Sequence, residues 1–423
     1  MAFRDVDSTQ RAVLEVKQRA KRQLERRRAM ILLVGLLGMA FSVHLFSSYE
    51  KQRNRARARA SSNHLKAKKK EEDGRSKKSA ANQIKSVSTP LDLMEGFERL
   101  KVLSHYVDVT SAFNSTQQTP VFFHVPRSGG QTIKEIVGQC LGKVQASEVG
   151  SRKGHKKDTS LQVVTIDNGK YVNVDTTSVK GLKRAGSMGL AESGLADMIT
   201  SSYFVPSAES LFSHIFTEGL QLNASEIPPT YGRVFTMFRP PVERAVSMYY
   251  YQHADVVSLE EYAKGNGIEN NWMTRFLTDT MEGDLTTRHL EQAKDILRQK
   301  VLIGFWNDPK ESIYRIFKYN QWLPTDNEML DEKKKFERDQ QQQCIEHKLT
   351  EKTNEYPGGY EMPKKGSQAY ALISWQTQYD NKLFDFAKEL FDAQTKQWGS
   401  KQRKKELKQK KQKAKQDALM GKL

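Results

Sequence analysis

Residues 120–134 read Pro-Val-Phe-Phe-His-Val-Pro-Arg-Ser-Gly-Gly-Gln-Thr-Ile-Lys. The apolar run 121–125 is typical of a buried β-strand, and the small residues 128–130 predict a tight turn after it. A stripe of apolar side chains then predicts an amphipathic helix through Ile133, Ile136, Val137, Cys140 and Leu141. This order directs backbone N–H groups at an anion, so we predict an anion-binding loop. An ordinary turn between a strand and a helix is the alternative.

A second segment, residues 234–250, repeats this arrangement. Residues 234–238 predict another buried strand, and the two prolines after Arg239 suit the first turn of a helix. The helical stripe continues with Val242, Ala245, Val246, Tyr249 and Tyr250. Arg239 ends the strand and Ser247 lies two turns into the helix. Together they predict a second phosphate site, because arginine matches phosphate oxygens geometrically. Taken alone, this segment also fits a strand–helix unit with a surface arginine.

The rest of the pattern predicts an α/β fold with a central parallel sheet. Residues 161–166 and 171–174 form a predicted hairpin around the turn residues 167–170. The apolar stripe of 285–297 predicts a helix that leads into a further strand at 301–305. Strands that alternate with helices favour a parallel sheet, and ligands of such sheets lie beyond the carboxyl ends of the strands. Both candidate loops follow such ends.

The two segments resemble the membrane-bound carbohydrate sulfotransferases of the secretory pathway, of the heparan sulfate 2-O-sulfotransferase type and including algal relatives. The family's first loop typically reads Pro-Lys-x-Gly-Gly-Thr-Thr, and residues 126–132 read Pro-Arg-Ser-Gly-Gly-Gln-Thr. The family's second segment reads Arg-x-Pro-x-(Glu/Asp)-Arg-x-x-Ser-x-Tyr-Tyr, and residues 239–250 read Arg-Pro-Pro-Val-Glu-Arg-Ala-Val-Ser-Met-Tyr-Tyr. The resemblance covers roughly residues 118–393 and is weak over 142–233.

This resemblance implies a P-loop-like, three-layer α/β fold that uses 3′-phosphoadenosine 5′-phosphosulfate (PAPS) as co-substrate. The 3′-phosphate would contact Arg239 and Ser247. The family's loop lysine is replaced by arginine, which keeps the charge but cannot give up a proton. The 5′-phosphosulfate would contact the first loop, namely Arg127, Ser128, Gly129, Gly130, Gln131 and Thr132.

Sulfuryl transfer needs cations around the leaving phosphate and a base for the acceptor hydroxyl. We predict Arg127 as that cation. His214 lies between the two segments and is the first candidate base, since some relatives use a histidine from this part of the chain; a structural histidine is the alternative. Glu209 is the second candidate. Asn271 and Arg275 are predicted to contact the acceptor.

The sequence also gives predictions for two aromatic residues, a later loop and the two cysteines. His124 and Trp272 are expected to pack in the interior, and residues 364–367 are predicted to close over the nucleotide. Only two cysteines occur, Cys140 and Cys344, and a buried free thiol at Cys140 is at least as consistent with the pattern as a disulfide. Their spacing matches no metal site, so no metal is predicted.

The net charge of +18 is concentrated at the two ends of the chain. Residues 1–80 carry +13 and residues 396–423 carry +9, whereas residues 81–395 carry −4. A nucleic-acid-binding domain would carry its basic patch on the fold, so no nucleic-acid partner is predicted. Solvated, disordered tails are expected instead.

Residues 29–46 contain no charged residue and follow three arginines, which predicts a transmembrane signal anchor. With the sequons at Asn114 and Asn223, and with the family resembled, we expect a single-pass type II glycoprotein of the Golgi membrane whose C-terminal domain is luminal. The predicted organisation is a cytosolic basic tail, the anchor, a flexible stem, a sulfotransferase domain and a disordered basic tail, at 1–28, 29–46, 47–117, 118–395 and 396–423.

The sequence thus predicts a PAPS-dependent sulfotransferase that acts on a glycan hydroxyl. Alternatives are a sulfotransferase for protein tyrosine, a membrane-anchored protein that binds nucleotide or glycan without catalysis, and a basic adaptor on anionic membranes. A nucleotide kinase is a further alternative, although the motif Gly-x-x-x-x-Gly-Lys-Ser/Thr expected of that class is absent. The sulfated position and the oligomeric state are not predicted.

Overall fold

A computed structural model describes residues 102–213, 229–265, 270–323, 332–351, 359 and 361–420. The chain divides into two compact units, Met1–Val87 and Ser88–Leu423, and all described residues belong to the second. The predicted cytosolic tail, the predicted anchor at 29–46, most of the predicted stem and the sequon at Asn223 lie outside the described residues. Within the described part of the chain, no helix combines the length and the apolar character needed to cross a membrane.

A central sheet of seven strands, in the order β3-β4-β2-β5-β1-β6-β7, organises this unit. Neighbouring strands are parallel except for β3 and β4, which form an antiparallel hairpin. The predicted α/β fold with a central parallel sheet is therefore confirmed, as is the predicted hairpin. The strands are β1 (Gln118–Phe123), β2 (Gln145–Ala146), β3 (Val163–Ile166), β4 (Gly169–Val172), β5 (Met198–Ser201), β6 (Tyr231–Phe238) and β7 (Val301–Phe305).

Helices pack against both faces of the sheet. Alternate residues of β6 join two separate apolar clusters, with Val234 and Phe238 in one and Phe235 and Met237 in the other. Because side chains alternate across a strand, the two clusters lie on opposite faces. The first six helices are α1 (Gly130–Glu135), α2 (Val179–Ser187), α3 (Phe204–Leu211), α4 (Pro241–Gln252), α5 (Leu259–Lys264) and α6 (Trp272–Thr278). The next six are α7 (Thr287–Lys300), α8 (Pro309–Tyr319), α9 (Glu332–Thr350), α10 (Gln368–Gln376), α11 (Gln378–Trp398) and α12 (Lys401–Met420).

The fold begins before the predicted domain boundary at residue 118. Val102, Leu103, Tyr106 and Val109 are buried in the core, and Tyr106 forms a parallel bridge with Gly232 of β6. The assignment of residues 102–117 to a flexible stem is therefore wrong. These residues carry enough apolar surface to pack against the sheet.

The predicted disordered tail at 396–423 also needs correction. Helix α11 continues to the buried Trp398, and residues Lys401–Met420 form helix α12. Ser400 caps α12, because its hydroxyl accepts a hydrogen bond from the N–H of Arg403 at 3.1 Å. Lysine, glutamine and glutamate are strong helix formers, and this propensity outweighs the charge that suggested disorder.

A disulfide joins Cys140 to Cys344, which are 204 positions apart in the sequence. Cys140 ends a π-helical turn (Ile136–Cys140) that continues α1, and Cys344 lies on α9. The expectation that a free thiol fits Cys140 at least as well is wrong. An ion pair of 3.3 Å between Lys348 of α9 and Glu135 of α1 reinforces the link. Helix α9 is thus fastened to the segment that follows the glycine turn.

Replacing both cysteines, Cys140→Ala with Cys344→Ala, should lower the free energy of unfolding by about 3–5 kcal/mol, because the bridge closes a long loop and its loss frees the unfolded chain. Urea unfolding without reductant measures the change. Reductant should lower the stability of the parent chain to that of the double variant and leave the variant unchanged. Equal stability of the two proteins without reductant would contradict the prediction.

Candidate functional site

The two predicted phosphate segments lie side by side at one edge of the sheet. Strands β1 and β6 are parallel neighbours, with Phe123 paired to Thr236. The loop after β1, residues 124–129, is called the Arg127 loop here, and the turn after β6, residues 239–240, the Arg239 turn. Parallel strands end at the same edge, so both segments leave the sheet together, as the sequence predicts.

Direct contacts join the two segments. The Nε of Arg127 donates a hydrogen bond to the Oγ of Ser247 at 3.1 Å, and its guanidinium lies 4.6 Å from the centre of the Tyr251 ring. An Nη1 of Arg239 donates to the backbone oxygen of Arg127 at 3.5 Å, at the outer limit of a hydrogen bond. Arg239 also pairs with Glu243 of α4, at 3.6 Å from Nε to Oε2. Two arginines and one serine from distant parts of the chain thus share one location.

Three buried hydroxyl residues lie in the two segments, Ser128 in the Arg127 loop, Thr132 on α1 and Ser247 on α4. Ser128 is wholly buried, and its Oγ has no hydrogen-bond partner among the described residues. Thr132 is 5% exposed and Ser247 is 1% exposed. A buried hydroxyl without a partner costs about 1–3 kcal/mol, so an acceptor oxygen next to Ser128 would be stabilising.

Close packing requires glycine at two successive positions, the last residue of the Arg127 loop and the first residue of α1. Gly129 has a φ of 84°, in the left-handed region, and a Cβ built there would overlap the ring of Trp306. A Cβ on Gly130 would overlap the imidazole of His124. The two glycines allow an aromatic ring to pack on each of them, and this packing fixes the shape of the loop.

His124 follows β1 and packs beside Phe122 and Gly130, as expected for an interior histidine. Burial and, to a smaller extent, the positive charge of Lys134 lower the pKa of its imidazole to about 4, against the opposing charge of Glu148. His124 is therefore neutral near pH 7. Its role is to support the loop backbone with an uncharged ring.

A cavity of about 200 Å³ opens beside α1. Lys134 and Glu148 form an ion pair of 3.0 Å on its wall. Burial raises the pKa of the Glu148 carboxyl, but the Lys134 ammonium outweighs burial and the pKa is lowered overall. The charged and polar residues at its rim include Gln131, Lys134, Glu148, Arg152, Asp167 and Tyr171.

Glu209, the second candidate base, lies on α3. It sits near the end of α3, where its carboxylate raises the pKa of Tyr106 together with the larger effect of burial. The Tyr106 ring packs on Gly232 at the beginning of β6. The beginning of β6 is at the edge opposite to the Arg127 loop, and a role for Glu209 as a base stays a prediction. His214, the first candidate, lies outside the described residues.

Asn271 and Arg275, the predicted acceptor contacts, have structural partners. The Oδ1 of Asn271 accepts hydrogen bonds from the N–H groups of Tyr379 and Asp380, at 2.7 and 3.2 Å. Arg275 donates to the backbone oxygens of Asn270, Thr280 and Gly283, each at 2.9 Å. Asn271 thus caps the beginning of α11, and Arg275 holds together the loops on either side of α6. Contact of either residue with an acceptor stays a prediction. Trp272 is buried against Phe276, as expected.

Two aromatic residues of the site escaped the sequence analysis. Trp306 follows β7, and its backbone N–H donates a hydrogen bond to the backbone oxygen of Phe238 at 2.9 Å. Tyr251 ends the run of three tyrosines on α4 and is 63% exposed beneath Arg127. The position of Trp306 directly after a third parallel strand was the available signal, because that edge is shared by all three strands.

The segment at 364–367 lies next to α4. The N–H of Glu361 donates to the hydroxyl of Tyr250 at 3.2 Å, and Ser367 caps α10 through the N–H of Tyr370. Lys364 and Lys365 are exposed. Closure of this segment over a nucleotide stays a prediction. Among the described residues, no group of acidic, histidine or cysteine side chains is arranged to bind a metal.

Comparisons with known proteins do not extend this description. No family model matches the chain, and a comparison with curated proteins finds no match. The functional interpretation therefore rests on the geometry of the two segments and on their resemblance in sequence.

Gly129→Ala should lower the free energy of unfolding by at least about 3 kcal/mol. Two costs add together here: alanine is strained in the left-handed backbone conformation, and its Cβ would displace the ring of Trp306. Gly142→Ala is the matched control, since Gly142 also has a positive φ, of 64°, but has open space around it. That control should lose only about 1 kcal/mol. Urea unfolding followed by tryptophan fluorescence measures both, and equal losses would contradict the packing described.

Proposed function

We propose that this chain is a PAPS-dependent sulfotransferase with a P-loop-like fold that acts on a hydroxyl of a glycan. One observation carries the proposal: Arg127, Arg239 and Ser247 come together at the ends of two neighbouring parallel strands. PAPS carries two anionic groups, the 5′-phosphosulfate and the 3′-phosphate. Two adjacent cationic segments match this distribution of charge better than they match a nucleotide with one phosphate group.

In this proposal the Arg127 loop binds the 5′-phosphosulfate. The buried Oγ of Ser128 lies in the same loop as Arg127, and the buried Thr132 lies in the first turn of α1, which follows the loop directly. Arg239 and Ser247 bind the 3′-phosphate. Arg239 is only 14% exposed in its side chain, and partial burial strengthens its attraction for an anion.

Transfer would proceed in line. The acceptor oxygen forms a bond to sulfur while the bond between sulfur and the bridging phosphate oxygen breaks. The product 3′-phosphoadenosine 5′-phosphate (PAP) then carries the negative charge that Arg127 stabilises. The acceptor hydroxyl loses its proton to a base, and His214 remains our proposal for that base. Arg127 supplies charge and hydrogen bonds, and no proton.

We also propose that the domain acts in the lumen of the Golgi, on a chain anchored as a type II membrane protein through residues 29–46. A disulfide between Cys140 and Cys344 supports an oxidising compartment. Asn114 of the first sequon is exposed, as glycosylation requires.

Arg239→Ala should weaken the binding of PAP by roughly 1.5–3 kcal/mol, the range for a hydrogen bond to a charged group, and should hardly change the binding of AMP. Isothermal titration of both nucleotides measures this. Arg152→Ala removes an exposed arginine that forms no ion pair among the described residues and serves as the matched control. Equal losses for PAP and AMP would reject the 3′-phosphate assignment, and absence of PAP binding to the parent chain would reject the proposed function.

Arg127→Ala should abolish most sulfate transfer, whereas Arg127→Lys should retain most of it, because the leaving phosphate needs a positive charge. His214→Ala should lower kcat by about 10²–10⁴-fold and leave PAP affinity nearly unchanged. Transfer from radiolabelled PAPS to a panel of desulfated polysaccharides measures both. Normal turnover of His214→Ala would reject that base, and PAP binding without transfer to any acceptor, tyrosine peptides included, would favour a non-catalytic binding protein.

A further inference from the structure

The basic C-terminal helix α12 is fixed to the fold at its base. Arg403 forms ion pairs with Asp392 of α11 at 3.3 Å, with Asp308 at 3.8 Å and with Glu406 at 3.7 Å. The N–H of Ser400 donates to Glu311 at 3.2 Å. These contacts hold the first turns of α12 at a defined position relative to α11.

A cleft of about 590 Å³ lies between α11 and α12. Its size falls within the range of ligand-binding pockets. Lys396 of α11 faces it from one side, and Lys404 and Lys408 face it from the other, where their spacing of four places them on one side of α12. The remaining lining residues are Asp392, Ala393, Thr395, Leu407 and Gln412.

The three lysines of the cleft are not neutralised by the fold. None of Lys396, Lys404 and Lys408 forms an ion pair within the described residues, and all three are exposed. The acidic group on the wall, Asp392, is engaged by Arg403, and Glu311 at the base is engaged by Arg315 at 2.7 Å. The cleft therefore presents net positive charge on a domain that is otherwise slightly acidic.

The positive field extends beyond the cleft. Lys318 of α8 donates to the backbone oxygen of Gln397 at 2.8 Å. Burial lowers the pKa of its ammonium, and the charge of Lys404 lowers the pKa further. The two ammonium groups repel each other, and a bound anion would reduce this repulsion.

We propose that this cleft is a binding site for a linear polyanion, namely a polysaccharide that carries sulfate or carboxylate groups. The cleft lies at the chain's C-terminal end, and none of its lining residues belongs to the Arg127 loop or to the Arg239 turn. It would bind a stretch of the polymer separate from the reacting unit. The choice of a polysaccharide among polyanions rests on the proposed function, whereas the cationic cleft does not.

The shape and the lining favour this partner over two others. A planar anionic membrane meets a convex or flat basic surface, and the lysines here converge on a concave one. Single-stranded nucleic acid is bound by aromatic side chains that stack on bases, and the residues lining the cleft include no aromatic ring. Flexible sulfated chains need only cations at suitable spacing.

The test uses the full-length chain in detergent and a heparin-derived dodecasaccharide as the probe. The variant Lys396→Gln/Lys404→Gln/Lys408→Gln should weaken its binding by about tenfold or more at physiological salt. The slope of log K against log salt should become shallower by about 2–3, the number of counterions that three lysines release. The control variant Lys170→Gln/Lys180→Gln/Lys183→Gln removes three exposed lysines of β4 and α2 and should retain both values.

Equal losses for the two variants would overturn the proposal, because net charge alone would then explain binding. A loss confined to vesicles of anionic phospholipid, or an equal loss for a single-stranded oligonucleotide, would overturn the choice of a polysaccharide. PAP binding is measured on the same preparations and should be the same for all three proteins. If the cleft variant binds the dodecasaccharide as tightly as the parent chain while PAP binding is intact, only the cleft is rejected. If the parent chain does not bind PAP, the proposed function is rejected instead.

Discussion

The parallel pairing of β1 with β6 is the constraint on which the candidate site depends. With Phe123 opposite Thr236, the two strands end at the same edge of the sheet, β6 two residues further along, and the Arg127 loop and the Arg239 turn begin at this edge. A shift of this pairing by one residue would exchange the two faces of the strand, so that Val234 and Phe238 would turn toward the cluster that now holds Phe235 and Met237. The apolar cores on the two faces of the sheet therefore fix the register, and the register places the two arginines together.

Local pattern predicted the parts of this arrangement that depend on neighbouring residues. The three parallel strands, the glycine turn and the hairpin follow from periodicity and turn chemistry, so their positions agree with the structure to within a few residues. The position of Glu209 was not predictable in this way, because it depends on the direction in which α3 packs across the sheet. The disulfide between Cys140 and Cys344 joins residues 204 positions apart, a relation that no local pattern contains. Helix α12 was missed for another reason: its charge was weighed above its helix propensity and its Ser400 cap.

Two aromatic side chains complete the site, one from within the Arg127 loop and one from an element that is distant in sequence. Trp306 comes from the end of β7 and His124 from the end of β1, and each ring occupies the space that a side chain on Gly129 or Gly130 would need. The uncharged state of His124 follows from its burial and from Lys134. The loop is thus supported by rings that add no charge, and its positive potential comes from Arg127 and Arg239. The disulfide and the Lys348–Glu135 ion pair fasten the following turn to α9.

The hydrogen bond from Arg127 to Ser247 links the two halves of the site. The Ser247 oxygen accepts from Arg127 and keeps its own O–H to donate, and Arg127 keeps further N–H groups, so an anion can bind each residue while the bond stays intact. An anion that orders one of these side chains also orders the other, so a second anion binds more tightly than it would alone. Such coupling is reciprocal by thermodynamic necessity. The apparent affinity for a ligand with two linked anionic groups therefore exceeds what its separate halves would suggest, and the molecule discriminates by the number of charged ends as well as by their chemistry.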